Sequence, residues 1–153
     1  MAFQIKTTGF ARGEKIPTEF TGDGPDRSPP LAWANAPAGT KAFALVVEDP
    51  DAPGGDWVHW VLYDLPGDTT GLPPAVGKGA SAPTGTKEGK TSWGKPGWRG
   101  PSPPPGKPHR YYFRLYALSA PTELSPGATA EQVAKAIVKT TLAKCELMGL
   151  YGR

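Results

Sequence analysis

The chain has 153 residues, 20 of them Gly and 19 Pro, about twice the share of an average globular domain. Against disorder stand 38% hydrophobic residues, 10% aromatic residues and a net charge of only +3, enough apolar surface to offset the entropy of ordering. No run approaches the roughly 18 apolar residues of a membrane span, residues 1–8 hold no apolar leader core, and the one cysteine, Cys145, can form no internal disulfide, so the expectation is a single cytoplasmic domain over 1–153.

Gly and Pro interrupt regular structure, so segments free of both mark the candidate elements. Thr40–Asp49 (TKAFALVVED) is a continuous apolar run of strand length. Asp56–Leu65 (DWVHWVLYDL) is rich in aromatic and β-branched residues and groups Trp57, His59, Val61 and Tyr63 on one face. Both runs are apolar on two faces, which predicts central strands covered on both sides. Lys78–Gly100 follows as a basic loop with Trp93 and Trp98. Those two rings either anchor a partner, a second copy included, or fold over to hold the loop down.

His109–Ala120 (HRYYFRLYALSA) is a third strand, with His109, Tyr111 and Phe113 on one face and Arg110, Tyr112 and Arg114 on the other. Ala128–Met148 shows helical spacing of Ala130, Ala134, Ile137, Val138, Thr141, Leu142, Cys145 and Met148. Thr129 with Gln132 makes a capping box, Glu131 and Lys135 an i,i+4 pair, and Gly149 the stop. Cys145 reads as a packing residue on that helix. The layout is mainly β, with long Gly/Pro-rich loops and a C-terminal α-helix.

Charge is uneven: residues 1–86 carry 6 Lys/Arg against 10 Asp/Glu, and residues 87–153 carry 11 against 4. The cations are scattered and accompany no nucleic-acid motif, so the reading is a solvated surface with no nucleic-acid partner. Chemistry concentrates at the two histidines of the chain. His59 follows the turn Asp49-Pro50-Asp51-Ala52-Pro53, and His109 follows Gly100-Pro101-Ser102-Pro103-Pro104-Pro105-Gly106-Lys107-Pro108. Either histidine alone reads as a packed strand residue; the acidic cluster beside one and Tyr111 beside the other point to a site.

Asp49-Pro50-Asp51-Ala52-Pro53, then Trp57-Val58-His59-Trp60, then Gly100–Pro104 running into His109-Arg110-Tyr111, resembles the phosphatidylethanolamine-binding protein family, most closely its bacterial and archaeal Raf kinase inhibitor-like branch. Ile16-Pro17, Thr21–Gly24, Ser28–Trp33 and Leu150–Arg153 agree with it. The resemblance implies an antiparallel β-sandwich with one surface pocket for anions such as phosphate or a phospholipid head group. Carried over, the pocket comprises Asp49, His59, His109 and Tyr111, with a rim of Gly100, Ser102, Pro103 and Pro104. Gly22 and Ser102 depart from the bacterial pattern, where Cys is common, and this excludes thiol chemistry at those positions.

Two imidazoles, a phenol and backbone N–H groups can all donate to a phosphate ester, and an anion favours the charged imidazole. Asp49 would accept a ring N–H and set a tautomer. The expectation is a non-catalytic binding protein without metal or cofactor, with regulation of a protein partner left open. The rivals are a metal-dependent or acid–base hydrolase built on Asp49, His59 and His109, and a kinase or protease inhibitor acting by loop docking. No activated nucleophile supports the hydrolase.

Overall fold

A computed structural model describes residues 2–153. The strands are β1 (Gln4–Lys6), β2 (Leu31–Ala34), β3 (Ala42–Asp49), β4 (Trp57–Pro66), β5 (Gly71–Leu72), β6 (Lys87–Glu88), β7 (His109–Leu118) and β8 (Thr141–Tyr151). One α-helix, α1 (Ala130–Ala136), lies between β7 and β8. The strands form two antiparallel sheets, ordered β1-β2-β5 and β6-β4-β3-β7-β8.

The main core fills the space between the sheets. Ile5, Leu31, Trp33 and Leu72 of the small sheet meet Phe43, Leu45, Val47, Trp60, Leu62, Phe113 and Leu115 of the large one. Each such side chain contributes about 1.5–3 kcal/mol by leaving water. The other face of the large sheet is covered in part by α1, whose Val133, with Ile137 just beyond it, packs on Ala42, Ala44, Val61, Tyr63 and Leu118. This is the sandwich the resemblance implied, and β3 and β4 are buried on both faces as their continuous apolar runs predicted.

Two expectations are corrected. The stretch Ala128–Met148 is not one C-terminal helix: α1 ends at Ala136, and Thr141–Tyr151 pairs along the length of β7 from Leu118↔Thr141 to His109↔Tyr151. The capping box holds, with Thr129 accepting from the Gln132 N–H, but cross-strand pairing overrides helix propensity beyond it. Val138 and Leu142, assigned to a helix face, are exposed, and Cys145 lies half-buried in β8 with its thiol pushed up to about 12 by burial. Gly149 caps nothing. It sits mid-strand, where a Cβ would come 2.6 Å from Ile16 Cγ1, so the absent side chain lets Phe10 and Ile16 close over β8.

The second correction concerns β4. Val47 faces Trp60 and Glu48 faces Val58, so His59 is the extra residue of a β-bulge. Alternation breaks there. Val61 and Tyr63 pack under α1, whereas His59 turns to the opposite side and meets Tyr111.

Candidate functional site

The ends of three adjacent strands meet at one pocket: β3 ends at Asp49, β4 brings His59 on its bulge, and β7 begins with His109 and Tyr111. The pocket encloses about 350 Å³, a volume suited to a small ligand. Asp49, His59, His109 and Tyr111 line it together with Ser102, Pro103 and Pro104 of the rim.

Each imidazole is anchored through Nδ1. His59 Nδ1 lies 2.5 Å from the Arg99 carbonyl oxygen, which can only accept, so the proton sits on Nδ1. His109 Nδ1 lies 2.6 Å from Asp49 Oδ2, and the other oxygen of Asp49 accepts the Asp51 N–H at 2.8 Å. Asp49 therefore holds a ring in place, the role read for it from the sequence. Both rings keep Nε2 for a ligand. Both are also buried, His59 at 3% exposure and His109 at 9%. Burial holds the His59 imidazolium below its usual range, with the Arg99 carbonyl and Asp49 opposing only in part. The Tyr111 hydroxyl is raised, by burial first and then by Asp49, and so stays a donor.

The walls are aromatic. The Tyr111 ring stands edge-on to His59 at 5.2 Å and is stacked near His109 at 6.5 Å. Trp93 meets His59 edge-on at 5.1 Å and Trp57 at 5.4 Å, and the Arg99 guanidinium lies 4.8 Å from the Trp93 ring centre. Trp57 and Trp93, with Ala52 and Pro53, line the pocket without having been assigned to it from sequence. The aromatic content of both segments was visible, but not that the Lys78–Gly100 loop folds back onto β4.

That loop is held down, not offered outward. Trp98 folds inward, the second of the two readings open from sequence, and is buried between Trp60 (5.5 Å, edge-on) and Phe113 (5.9 Å, stacked). Asp26 Oδ1 accepts both Trp98 Nε1–H at 3.1 Å and Gly100 N–H at 2.9 Å. Gly100 is thus spent on packing and is not among the lining residues. A Cβ there would lie 2.2 Å from the Phe20 carbonyl oxygen.

The prolines of the rim are tied by Arg153, which donates to Ser102 Oγ at 3.0 Å and to the Pro103 carbonyl at 3.1 Å while pairing with Asp23. Tyr151 donates to the same Asp23 at 2.5 Å, and Gly22 N–H donates to the Pro101 carbonyl at 2.8 Å. Gly22 and Ser102, the two positions that depart from the bacterial pattern, therefore lie side by side. On the far side Arg110 grips Asp51 with two N–H groups at 2.8 and 2.9 Å and holds that carboxyl at about 2. Asp23 and Arg153 lie in segments that agree with the family, but no role was assigned to them or to Asp26 from sequence, because each acts across 50 or more residues.

Each oxygen of Asp49 already accepts one hydrogen bond, and among the described residues no three His, Cys, Asp or Glu side chains are grouped to hold a metal ion. Nor does the Ser102 hydroxyl meet a base; its partner is Arg153.

Comparison with known proteins agrees with this architecture. The family model for phosphatidylethanolamine-binding protein matches residues 6–152. A UPF0098 protein of Methanothermobacter thermautotrophicus is 44% identical over 149 residues, covering 97% of this chain and 98% of its own. A Mycobacterium tuberculosis relative, LppC, described as a candidate lipoprotein, is 41% identical over 96% of this chain and 71% of its own. The crystal structure of Escherichia coli YbcL, described as a member of the mammalian PEBP family, superposes with a TM-score of 0.92 at 34% identity over 99% of this chain and 98% of that one. With sandwich and sequence in agreement, the chain belongs to the phosphatidylethanolamine-binding protein family.

Proposed function

We propose that the pocket binds a small anion, a phosphate ester or a phospholipid head group, without turning it over. The observation that carries this reading is the pair of imidazoles, each fixed through Nδ1 and each presenting Nε2 to one cavity beside a protonated Tyr111. No Lys or Arg is among the lining residues, so beyond the Arg153 guanidinium at the rim the positive charge comes from protonating a ring. His109 is held through Nδ1 by the Asp49 carboxylate. His59 starts neutral and takes up a proton at a cost that the anion offsets.

Two observations support binding without covalent turnover: the Cys145 thiol is half-buried in β8 and held protonated, and Ser102 is engaged by Arg153. We place the protein in the cytoplasm, the ordinary compartment of a chain with one free thiol. Among the described residues no helix is long and apolar enough to cross a membrane.

The test is an NMR titration of the two imidazole rings with phosphoethanolamine and, separately, with sulfate, which stays a dianion from pH 5 to 8. Both ligands should shift the His59 and His109 ring signals saturably. Sulfate affinity should rise as pH falls from 8 to 6, by up to about tenfold per unit for each proton taken up. Unmoved rings would overturn the reading, as would sulfate affinity independent of pH.

A further inference from the structure

A second concavity lies on the opposite face of the large sheet, between α1 and strands β4, β3, β7 and the start of β8. It measures about 560 Å³. Val46, Val133 and Ile137 form a buried apolar floor, continued by the half-buried Val58 and Tyr116. Among its lining residues are three carboxylates, Glu48, Asp56 and Glu131, and not one cation, although the chain carries 17 Lys and Arg against 14 Asp and Glu.

The strand order makes the groove polar along its length. It crosses the sheet from β4 through β3 and β7 to β8. Asp56 and Glu48 stand at the β4–β3 end, and Glu131 opposes them from the first turn of α1. Val138 and Thr141 close the β8 end, where Val138 is 74% exposed, and Leu142 follows at 45%. Three strand spacings of about 4.8 Å make the groove roughly 14 Å long.

The cations nearby do not cancel this gradient. Arg114 is shared between Glu48 and Glu146, two carboxylates against one guanidinium, so that trio keeps a net negative charge. Lys135 reaches only the exposed Glu131, at 3.4 Å. Lys144 stands opposite Tyr116 in the β7–β8 register, at the apolar end.

We propose that this groove binds an amphiphilic amine: an ammonium head among Glu48, Asp56 and Glu131, and a linear apolar body of about eight carbons over Val46, Tyr116 and Ile137 toward Val138. Charge complementarity selects the head and the polarised floor selects the orientation. The proposal is independent of the anion pocket, which opens at different residues.

The test is a backbone amide titration of the ¹⁵N-labelled 153-residue protein with octylamine at neutral pH and low salt, against octanoate as the control of equal length and opposite charge. Octylamine should shift the amides of Val58, Val138 and Thr141 saturably, and octanoate should leave them in place. The double variant Asp56→Asn with Glu131→Gln should bind octylamine about threefold more weakly, as expected for solvent-exposed carboxylates. Both side chains are exposed, and the variant's own spectrum reports whether it is folded.

Equal binding of octanoate, unchanged affinity in the double variant, or octylamine shifts confined to the residues around His59 would each overturn the proposal. So would movement of the same amides on raising protein concentration alone, which would assign the groove to a second copy. A response to the peptide Ac-Lys-Val-Lys-Val-amide but not to octylamine would assign it to a protein segment, and would equally overturn it.

Discussion

His59 and His109 differ in what burial asks of each. His109 has a carboxylate at its back; His59 has a carbonyl, which orients the ring but compensates its charge only in part. The folded protein therefore prefers His59 neutral, while in the unfolded chain it titrates near 6.5. Between the lowered folded value and about 6.5 the unfolded chain holds the extra proton, so this contribution to stability is complete above that window and is lost as pH falls through it. The urea midpoint should drop between pH 7.5 and 5.5, and His59→Gln should flatten that slope. Asp51 adds its own loss only below about 4, since Arg110 holds its carboxyl at about 2. Asp49→Ala tests the other ring: with His109 Nδ1–H left buried and unpaired, denaturant titration should show a loss of about 1–3 kcal/mol. His59, His109 and Asp49 were assigned to the pocket through the family resemblance, carried by motifs in which each histidine follows a Pro/Gly-rich loop; Asp51 and Arg110 were not. Asp23, Asp26 and Arg153 were beyond such reading, since nothing local to an aspartate says that it will accept from Gly100, 74 positions away.

At the scale of elements, strands announced themselves wherever apolar residues ran on without Gly or Pro, and β3, β4 and β7 begin within two residues of where composition put them. The C-terminal stretch was harder to read. A genuine capping box opens α1, and the apolar residues after it satisfy helical spacing and strand alternation about equally well. Pairing with β7 decides in favour of the strand, and that is long-range information. Gly149 was the readable clue: a glycine eight residues into β8, where a side chain would strike Ile16 and Phe10. Gly149→Val should cost about 1–3 kcal/mol by overpacking and should displace the segment around Ile16, whose N–H donates to the Leu150 carbonyl at 2.7 Å. A lowered Tm, with amide shifts concentrated at residues 10–16, would check it. The bulge at His59 was equally hidden, because one extra residue in β4 leaves no mark in its composition.

In the whole molecule, one buried ring joins the core to the pocket. Trp98 is stacked on Phe113 between the sheets and, through Asp26, shares an anchor with Gly100 at the start of the rim. Trp98→Phe should keep most of the packing but lose the indole N–H. Trp98→Ala should cost about 3–5 kcal/mol and weaken anion binding with it. Equal anion affinity in a folded Trp98→Ala protein would separate the rim from the core.

The rim also governs how binding would register in the melting of the protein. Prolines fix the backbone of Pro101–Pro105, Arg153 ties it to Asp23, and the imidazoles are already oriented, so little ordering remains for a ligand to impose. An anion held only by the folded state then acts as a mass-action weight on unfolding. At a hundred times its Kd it should add about 2.7 kcal/mol, roughly 5–10 °C in Tm for a domain of this size. Calorimetric scans across a panel of phosphate esters would rank its ligands by heat alone, without a label and without an assay for turnover.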